Sequence, residues 1–414
     1  MHRCALVPAD EYQFGFFLLT STLHFHLSSG TGLDVIKYPT SSNTSPFYVT
    51  LNRHSVNLKR LFFLLAFFYS LKVLAQDNCP INFIPNSNKI LYNQKSIEEI
   101  IEPSNYSAFF LGESHTINFE PEFKFNFIKH LNSKYEVKDI FLEIGFSAAY
   151  FFNKYLLSGD TTILKNNSLP YLWGHYKDFW NDLYIYNKLL PDSLKIVIYG
   201  LDFERKEIFK LLEQAIQPNI AVPVNLQKLF ADIQTINKKQ SLFFGDKEFK
   251  NALSTLSSIF QTYQNDFKTL YGDNYKIIYN AITNEALPSL TLNKRNKIWF
   301  ENIKQIITEN NITKFIGFFG LAHTRNNNST SLTVALKQCD FFYGNILNIS
   351  TIYKDFVSTD NQNEIVEYGY KEKSVFDKFY DKNCRAVIVK SSNVPKTSFK
   401  TESDFIIFAK EKND

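Results

Sequence analysis

Residues 107–115 decide the fold class, because they read Ser107-Ala108-Phe109-Phe110-Leu111-Gly112-Glu113-Ser114-His115, an apolar run that ends in polar residues. Further apolar runs cover residues 140–144, 195–199, 315–319, 345–353, 386–390 and 405–409. Continuous rather than alternating apolarity is typical of strands that are covered on both faces, as in a parallel sheet. Helix-like stretches separate these runs, for example residues 122–135 and 176–190. The sequence therefore predicts an α/β fold with a mainly parallel central sheet flanked by helices.

One interval breaks this alternation of strands and helices. Residues 204 to about 311 contain helix-like segments and no convincing strand, and the segments are separated by Gly245, Gly272 and Pro288. We interpret the interval as a helical insertion between the third and fourth strands, and we expect it to form a lid or wall over the site. The remainder is predicted to be one compact domain.

The N-terminal region has the pattern of a secretory signal peptide at residues 57–75. Lys59 and Arg60 precede the apolar run 61–71, and a small-residue ending closes at Ala75. The run is shorter than the roughly 20 residues of a membrane-spanning helix, so no stable membrane span is predicted. A buried amphipathic helix is the alternative. We predict cleavage after Ala75 and export of residues 76–414 to the periplasm or the medium, with residues 1–56 as a doubtful leader that is a start-site artefact or poorly ordered.

Composition excludes several classes of protein. The formal charge of the 414 residues is +4, with 21% charged and 44% hydrophobic residues, which argues against wholesale disorder and against a nucleic-acid partner. Of the cysteines in residues 76–414, Cys339 and Cys384 are the pair that we expect to form a disulfide if one forms, with Cys79 left over. The sequence does not fix the oligomeric state.

Titratable side chains follow four of the predicted strands. Glu113 and His115 follow the first strand, Glu143 lies at the end of the second, and Asp202 and His323 follow the third and fourth. Ligands of open α/β sheets bind at the carboxyl ends of the strands, so these side chains are expected at one edge. There is no Gly-x-Ser-x-Gly nucleophile elbow and no Gly-Lys-Ser/Thr phosphate loop, which disfavours a serine hydrolase and a P-loop protein.

Five ordered motifs resemble those of the erythromycin esterase-like proteins. They are Gly112-Glu113-Ser114-His115, Leu142-Glu143-Ile144-Gly145, Gly200-Leu201-Asp202, Arg295 with Asn302, and Gly320-Leu321-Ala322-His323. That group belongs to a wider superfamily with the ChaN-like haem-binding proteins and the Tiki/TraB-type metalloproteases. The single histidine of the last motif is closer to the Gly-x-x-His pattern of the Tiki-type proteins. The resemblance implies an exported hydrolase that cleaves an ester or related bond in a small-molecule substrate.

The resemblance also implies that His115 activates water. This role suits an imidazole, which titrates near neutral pH, and Glu113 or Glu143 is expected to orient the ring. His323 is expected to be a general acid or, with His115 and Glu143, a ligand of a divalent metal ion such as zinc or manganese. Two alternatives stay open, namely a ChaN-like haem- or metal-binding protein without turnover and a Tiki-type metal-dependent peptidase.

Substrate binding is assigned to Arg295, Asn302 and Asp202. The spacing places Arg295 and Asn302 on one helical face, and the resemblance aims them at the site, where Arg295 is expected to hold a carboxylate or an oxyanion. Asp202 has an alternative interpretation as a helix cap, or as part of an ordinary surface ion pair with Glu204 and Arg205 nearby.

Overall fold

The structure is a computed structural model that describes residues 33–37, 48–52, 90–91, 105–113, 119–166, 169–239, 246–284, 290–339, 345–354, 386–391 and 403–410. The chain divides into two compact units, Met1–Asn78 and Cys79–Asp414. The predicted signal peptide 57–75, His115, Cys79 and Cys384 lie outside the described residues. Cys339 is described and is a free cysteine.

In the first unit, the described residues form an antiparallel pair of strands, β1 (Leu33–Lys37) and β2 (Tyr48–Asn52). This pair lies within residues 1–56, where the sequence shows no sustained period, so local structure is present in a stretch that we interpret as a doubtful leader. Across the described part of both units, no helix combines the length and the apolarity that crossing a membrane requires.

The second unit is built on an eight-stranded sheet. Its strands are β3 (Ile90–Leu91), β4 (Tyr106–Glu113), β5 (Asp139–Leu142), β6 (Val197–Gly200), β7 (Phe315–Gly320), β8 (Asn345–Lys354), β9 (Ala386–Lys390) and β10 (Phe405–Lys410). They lie in the order β3-β9-β10-β8-β4-β7-β5-β6. The pairings from β10 to β6 are all parallel, whereas β9 is antiparallel to both of its neighbours. The predicted α/β fold with a mainly parallel sheet is therefore confirmed.

Helices flank this sheet. The described helices are α1 (Phe119–Tyr135), α2 (Phe146–Ser158), α3 (Thr161–Asn166), α4 (Pro170–Leu189), α5 (Glu207–Gln214), α6 (Val224–Asn237), α7 (Lys247–Thr262), α8 (Gln264–Tyr271), α9 (Tyr275–Thr283), α10 (Leu292–Asn310), α11 (Leu321–Thr324) and α12 (Leu332–Lys337). Between β6 and β7, the described residues form α5 to α10 and one 3-10 turn at Gly272–Asn274, with no strand among them. That interval corresponds to residues 204–311, whose role as a lid or wall stays a prediction.

Aromatic side chains fill the space between the sheet and its helices. All six residues of β7 are buried, as expected for a central strand covered on both faces. The Phe152 ring of α2 stacks on the Trp180 ring of α4 with centroids 3.8 Å apart, and Phe141 of β5 contacts Phe315 of β7 edge to face at 4.8 Å. The high content of phenylalanine and tyrosine, 41 and 23 residues, is thus used in part to pack this core.

The strand order brings the candidate site residues to one edge of the sheet. Because β4, β7, β5 and β6 are adjacent and parallel, their carboxyl ends point the same way. Glu113 is in register with Gly320, and Leu142 is in register with Gly200. The residues that follow Leu142, Gly200 and Gly320 therefore leave the sheet side by side.

Candidate active site

Glu143 is the centre of a cluster of charged side chains at this edge. Its Oε1 accepts a hydrogen bond from Arg295 Nη2 at 3.0 Å, and its Oε2 accepts one from the backbone N–H of Gly320 at 2.9 Å. The Nε2 of His323 lies 3.6 Å from Oε1. The Glu143 side chain is 13% exposed. A single carboxylate thus connects strand β5, helix α10 and the turn after β7.

Asp202 binds the same guanidinium from the loop that follows β6. Its Oδ2 accepts from Arg295 Nη2 at 2.8 Å, and its Oδ1 accepts from the indole N–H of Trp299 at 3.2 Å. Burial raises the pKa of Asp202, and the Arg295 guanidinium offsets part of this rise. The alternative interpretation as a surface ion pair with Arg205 is wrong, because Asp202 is 3% exposed and its cationic partner is Arg295.

His323 is buried and held in one orientation. Its ring packs on Trp299 with centroids 4.2 Å apart, and its Nδ1 lies 2.5 Å from the side-chain Oδ1 of Asn296. The amide of Asn296 donates through Nδ2 to the Thr330 carbonyl at 2.8 Å, so Oδ1 is the atom that faces the histidine. Nδ1 must then donate, and Nε2 is the nitrogen that faces Glu143. Nε2 and Glu143 therefore form an ion pair when the ring is protonated.

Helix α10 places Arg295, Trp299 and Asn302 on one side, as the three-to-four spacing predicts. The Arg295 guanidinium lies over the Trp299 ring at 4.9 Å. Asn302 is directed at the loop after β6, where its Nδ2 donates to the Leu201 carbonyl at 3.1 Å and to the side-chain oxygen of Asn284 at 3.3 Å. Asn302 therefore braces the Asp202 loop, and its predicted contact with substrate stays a prediction.

Glu113 is buried at the end of β4 and forms an ion pair with Lys124 of α1. The side chains of both residues are 7% exposed. The Lys124 ammonium also lies over the Phe318 ring, 5.4 Å from its centroid. The sequence motifs did not point to Lys124. The one feature that could have drawn attention to it is a lysine among apolar neighbours on the helix after the first strand. His115 lies outside the described residues, and its place beside this cluster stays a prediction.

The described residues include no group of three or more histidine, cysteine, aspartate or glutamate side chains arranged to hold a metal ion. Glu143 and His323 do lie together, as two of the three candidate ligands. The third candidate is His115. A metal site made from these three residues stays a prediction, and so does haem binding.

Comparisons with known proteins support the fold. No protein-family model and no curated protein matches the sequence. A Bacillus cereus protein of known structure aligns with 15% identity over 80% of this chain and 95% of its own, with a TM-score of 0.51. A succinoglycan biosynthesis protein aligns with 12% identity over 76% and 89% of the two chains, with a TM-score of 0.50. A mutant of the erythromycin esterase EreC in its open conformation aligns with 12% identity over 75% of this chain and 92% of its own, with a TM-score of 0.48.

At these identities, the two alignments that reach a TM-score of 0.50 show a shared fold and no more. Membership of the erythromycin esterase-like family stays a prediction. Together with the cluster geometry, the comparisons define the class of structure as an α/β fold with buried charged residues at the carboxyl ends of its central strands.

Proposed function

We propose that this chain is an exported hydrolase of the erythromycin esterase-like type, in which His115 activates a water molecule that attacks an ester or related bond. The observation that carries the proposal is the contact of Glu143 with both His323 and Arg295 at the edge of the sheet. A partly buried carboxylate that contacts both an imidazole and a guanidinium brings together the groups that general acid–base chemistry and oxyanion stabilisation require.

In this proposal, His323 is the general acid. Its Nδ1 is occupied by Asn296, so proton transfer takes place at Nε2, the atom that faces Glu143. Glu143 favours the imidazolium before transfer, as the acid partner does in hydrolytic triads. His115 takes a proton from the attacking water, and Nε2 of His323 gives its proton to the leaving oxygen as the carbon–oxygen bond breaks. The site resets when His115 releases a proton to solvent and His323 takes one up, which the Glu143 carboxylate favours.

Arg295 has two roles in the proposal. Its hydrogen bonds to Glu143 and Asp202 both come from Nη2. We assign contact with the substrate oxyanion to Nη1, the other terminal nitrogen of the guanidinium. Because two carboxylates neutralise the guanidinium, we expect it to act by directed hydrogen bonding more than by net positive charge.

The test is hydrolysis of a panel of esters and peptides by the purified protein, its His115→Ala and His323→Gln variants, and His130→Gln as a control. His130 is a buried histidine of α1. We expect each of the first two variants to lose at least about 100-fold in kcat/KM, and the control to retain activity. Ester hydrolysis that survives His115→Ala would remove the proposed mechanism.

The alternative functions give different results in the same preparation. A haem absorption band without turnover would favour a binding protein of the ChaN-like type. Peptide cleavage that a chelator abolishes would favour a metal-dependent peptidase. Export is tested by N-terminal sequencing of the secreted protein, which we expect to begin at Gln76; an intact Met1 on a protein retained in the cell would contradict it.

A further inference from the structure

We propose that Glu204 is a positioning residue of the proposed site, and that it fixes the loop carrying Glu143 by holding the N-terminus of helix α2. This inference rests on the proposed function. Glu204 lies beyond β6, two residues after Asp202, and is 6% exposed. Its Oε1 accepts the backbone N–H of Phe146 at 2.7 Å, and its two carboxylate oxygens lie 3.4 and 3.3 Å from the N–H of Ser147.

The cap on α2 comes from an unusual place in the sequence. A helix N-terminus is ordinarily capped by the side chain of its own N-cap residue. Here the N-cap residue is Gly145, which has no side chain to offer. The carboxylate that satisfies the first N–H groups of α2 instead comes from a residue 58 positions later. The cap therefore ties the loop after β6 to the loop after β5.

Backbone contacts tie the same two loops together. The N–H groups of Leu201 and Asp202 both donate to the carbonyl of Ile144, at 2.7 and 2.9 Å. The approach requires glycine at position 200, because a Cβ there would lie 2.2 Å from the Gly145 carbonyl oxygen; a Cβ at Gly145 would lie 2.8 Å from Glu204 Oε2. The segment from Gly200 to Glu204 thus forms a support against which residues 143–147 rest.

Glu143 is consequently held from two directions. On one side, Arg295 connects its carboxylate to Asp202. On the other, Glu204 fixes the start of the helix three residues after it. Loss of Glu204 would leave the loop after β5 held by the hydrogen bonds to the Ile144 carbonyl but would release the start of α2, so the distance of Glu143 from His323 would vary more. Small displacements of a reacting group lower the rate of the chemical step more than they weaken substrate binding.

Other charged groups line the same small, nearly filled cavity as Glu204. The cavity is lined by Glu143, Asp202, Arg205 and Glu207, among others. The pKa of Glu204 is raised to about 8, chiefly because the carboxyl group is buried and to a smaller extent because the Glu207 carboxylate is near; hydrogen bonds from Ser147 and Phe146 oppose this rise. Glu207 is buried in the same cavity but belongs to the first turn of α5, so it serves as the matched control.

The experiment compares kcat and KM for the wild-type protein, Glu204→Ala, Glu204→Gln and Glu207→Gln. For Glu204→Ala we expect kcat to fall by about tenfold to 100-fold with KM changed less than about threefold. Glu204→Gln keeps one acceptor for Phe146 N–H, so it should recover part of that loss. Glu207→Gln should retain the wild-type kcat. A purely structural cap would destabilise Glu204→Ala and leave the kcat of the folded protein unchanged, and that result would overturn the inference.

Amide hydrogen exchange separates the inference from the proposed function. Exchange at the N–H groups of Phe146 and Ser147 should accelerate at least about tenfold in Glu204→Ala and not in Glu207→Gln, because only the former removes their acceptor. If the wild-type protein hydrolyses none of the panel, the proposed function fails, and exchange still tests whether Glu204 holds the loop. Unchanged exchange at both amides would refute the positioning role.

Discussion

The Arg295→Met substitution removes the guanidinium that Glu143 and Asp202 share, and it keeps most of the apolar stem of the side chain. The exposed fractions of the three side chains are 18% for Arg295, 13% for Glu143 and 5% for Asp202. Breaking a buried ion pair by removing one partner costs about 3–5 kcal/mol, since the remaining charge stays buried without compensation. The carboxylates keep their bonds to the Gly320 and Trp299 N–H groups, so we expect a loss of about 3 kcal/mol in the free energy of unfolding.

Lys276→Met is the matched control for this substitution. Lys276 forms an ion pair with Glu309 at 3.2 Å, and the side chains are 52% and 33% exposed. Exposed pairs contribute at most about 1 kcal/mol, so the control should be nearly neutral. The assay is urea unfolding followed by far-UV circular dichroism, which avoids the fluorescence of Trp299 beside the mutated position.

A second substitution tests the electrostatic origin of the loss. Adding Asp202→Asn to Arg295→Met removes one of the two uncompensated charges, so the double variant should lose less than the sum of the single variants. A loss of unfolding free energy for Arg295→Met no larger than that for Lys276→Met, or a simply additive effect of Asp202→Asn, would show that the guanidinium does not compensate these charges.

Three further predictions concern the packing around the cluster. Burial is the main reason that the pKa of Glu204 is raised from 4.5 to about 8. Between these pH values the folded state keeps a proton that the unfolded state loses. The free energy of unfolding should therefore fall as the pH rises from 4.5 to 8. In urea unfolding, the free energy of unfolding of Glu204→Gln should depend less on pH than that of the wild type; the same pH dependence in both proteins would contradict the prediction. Gly200→Ala places a Cβ 2.2 Å from the Gly145 carbonyl oxygen and should lower thermal stability by at least about 1 kcal/mol; an unchanged melting temperature would show that the two loops can separate freely. Lys124→Met removes the ion-pair partner of the buried Glu113 and should lower the free energy of unfolding by about 3 kcal/mol in urea unfolding. A decrease below about 1 kcal/mol would disprove this.

The positions of the strands follow from the sequence because burial on both faces leaves a continuous apolar signal. The run at 315–319 corresponds to β7, and the run at 386–390 to β9. The order of the strands does not follow in this way. Strand β7 lies between β4 and β5 although it comes after β6 in the chain. Apolar runs indicate which residues are buried but not which strands are neighbours, so this order could not be predicted.

The candidate site was partly predictable for a related reason. The carboxyl ends of parallel strands meet at one edge, so Glu143, Asp202 and His323 could be grouped without knowing their contacts. Their contacts could not be predicted from the pattern, because they join distant segments: the two residues of the Asp202–Arg295 pair are 93 positions apart, and only the resemblance aimed Arg295 at the site. Glu204 shows the limit most clearly: its place in the sequence indicated no role beyond one possible surface ion pair near Asp202, and the structure places it in a buried cap on another helix.

The most direct test of the account is the rate of ester hydrolysis by Glu143→Gln. The amide keeps the size of the side chain and an acceptor for the Gly320 N–H, but it removes the negative charge that His323 and Arg295 contact. We predict that kcat falls at least about 100-fold while the far-UV circular dichroism spectrum stays that of the wild type. A folded Glu143→Gln variant that hydrolyses its ester at the wild-type rate would contradict the central claim that this cluster is an active site.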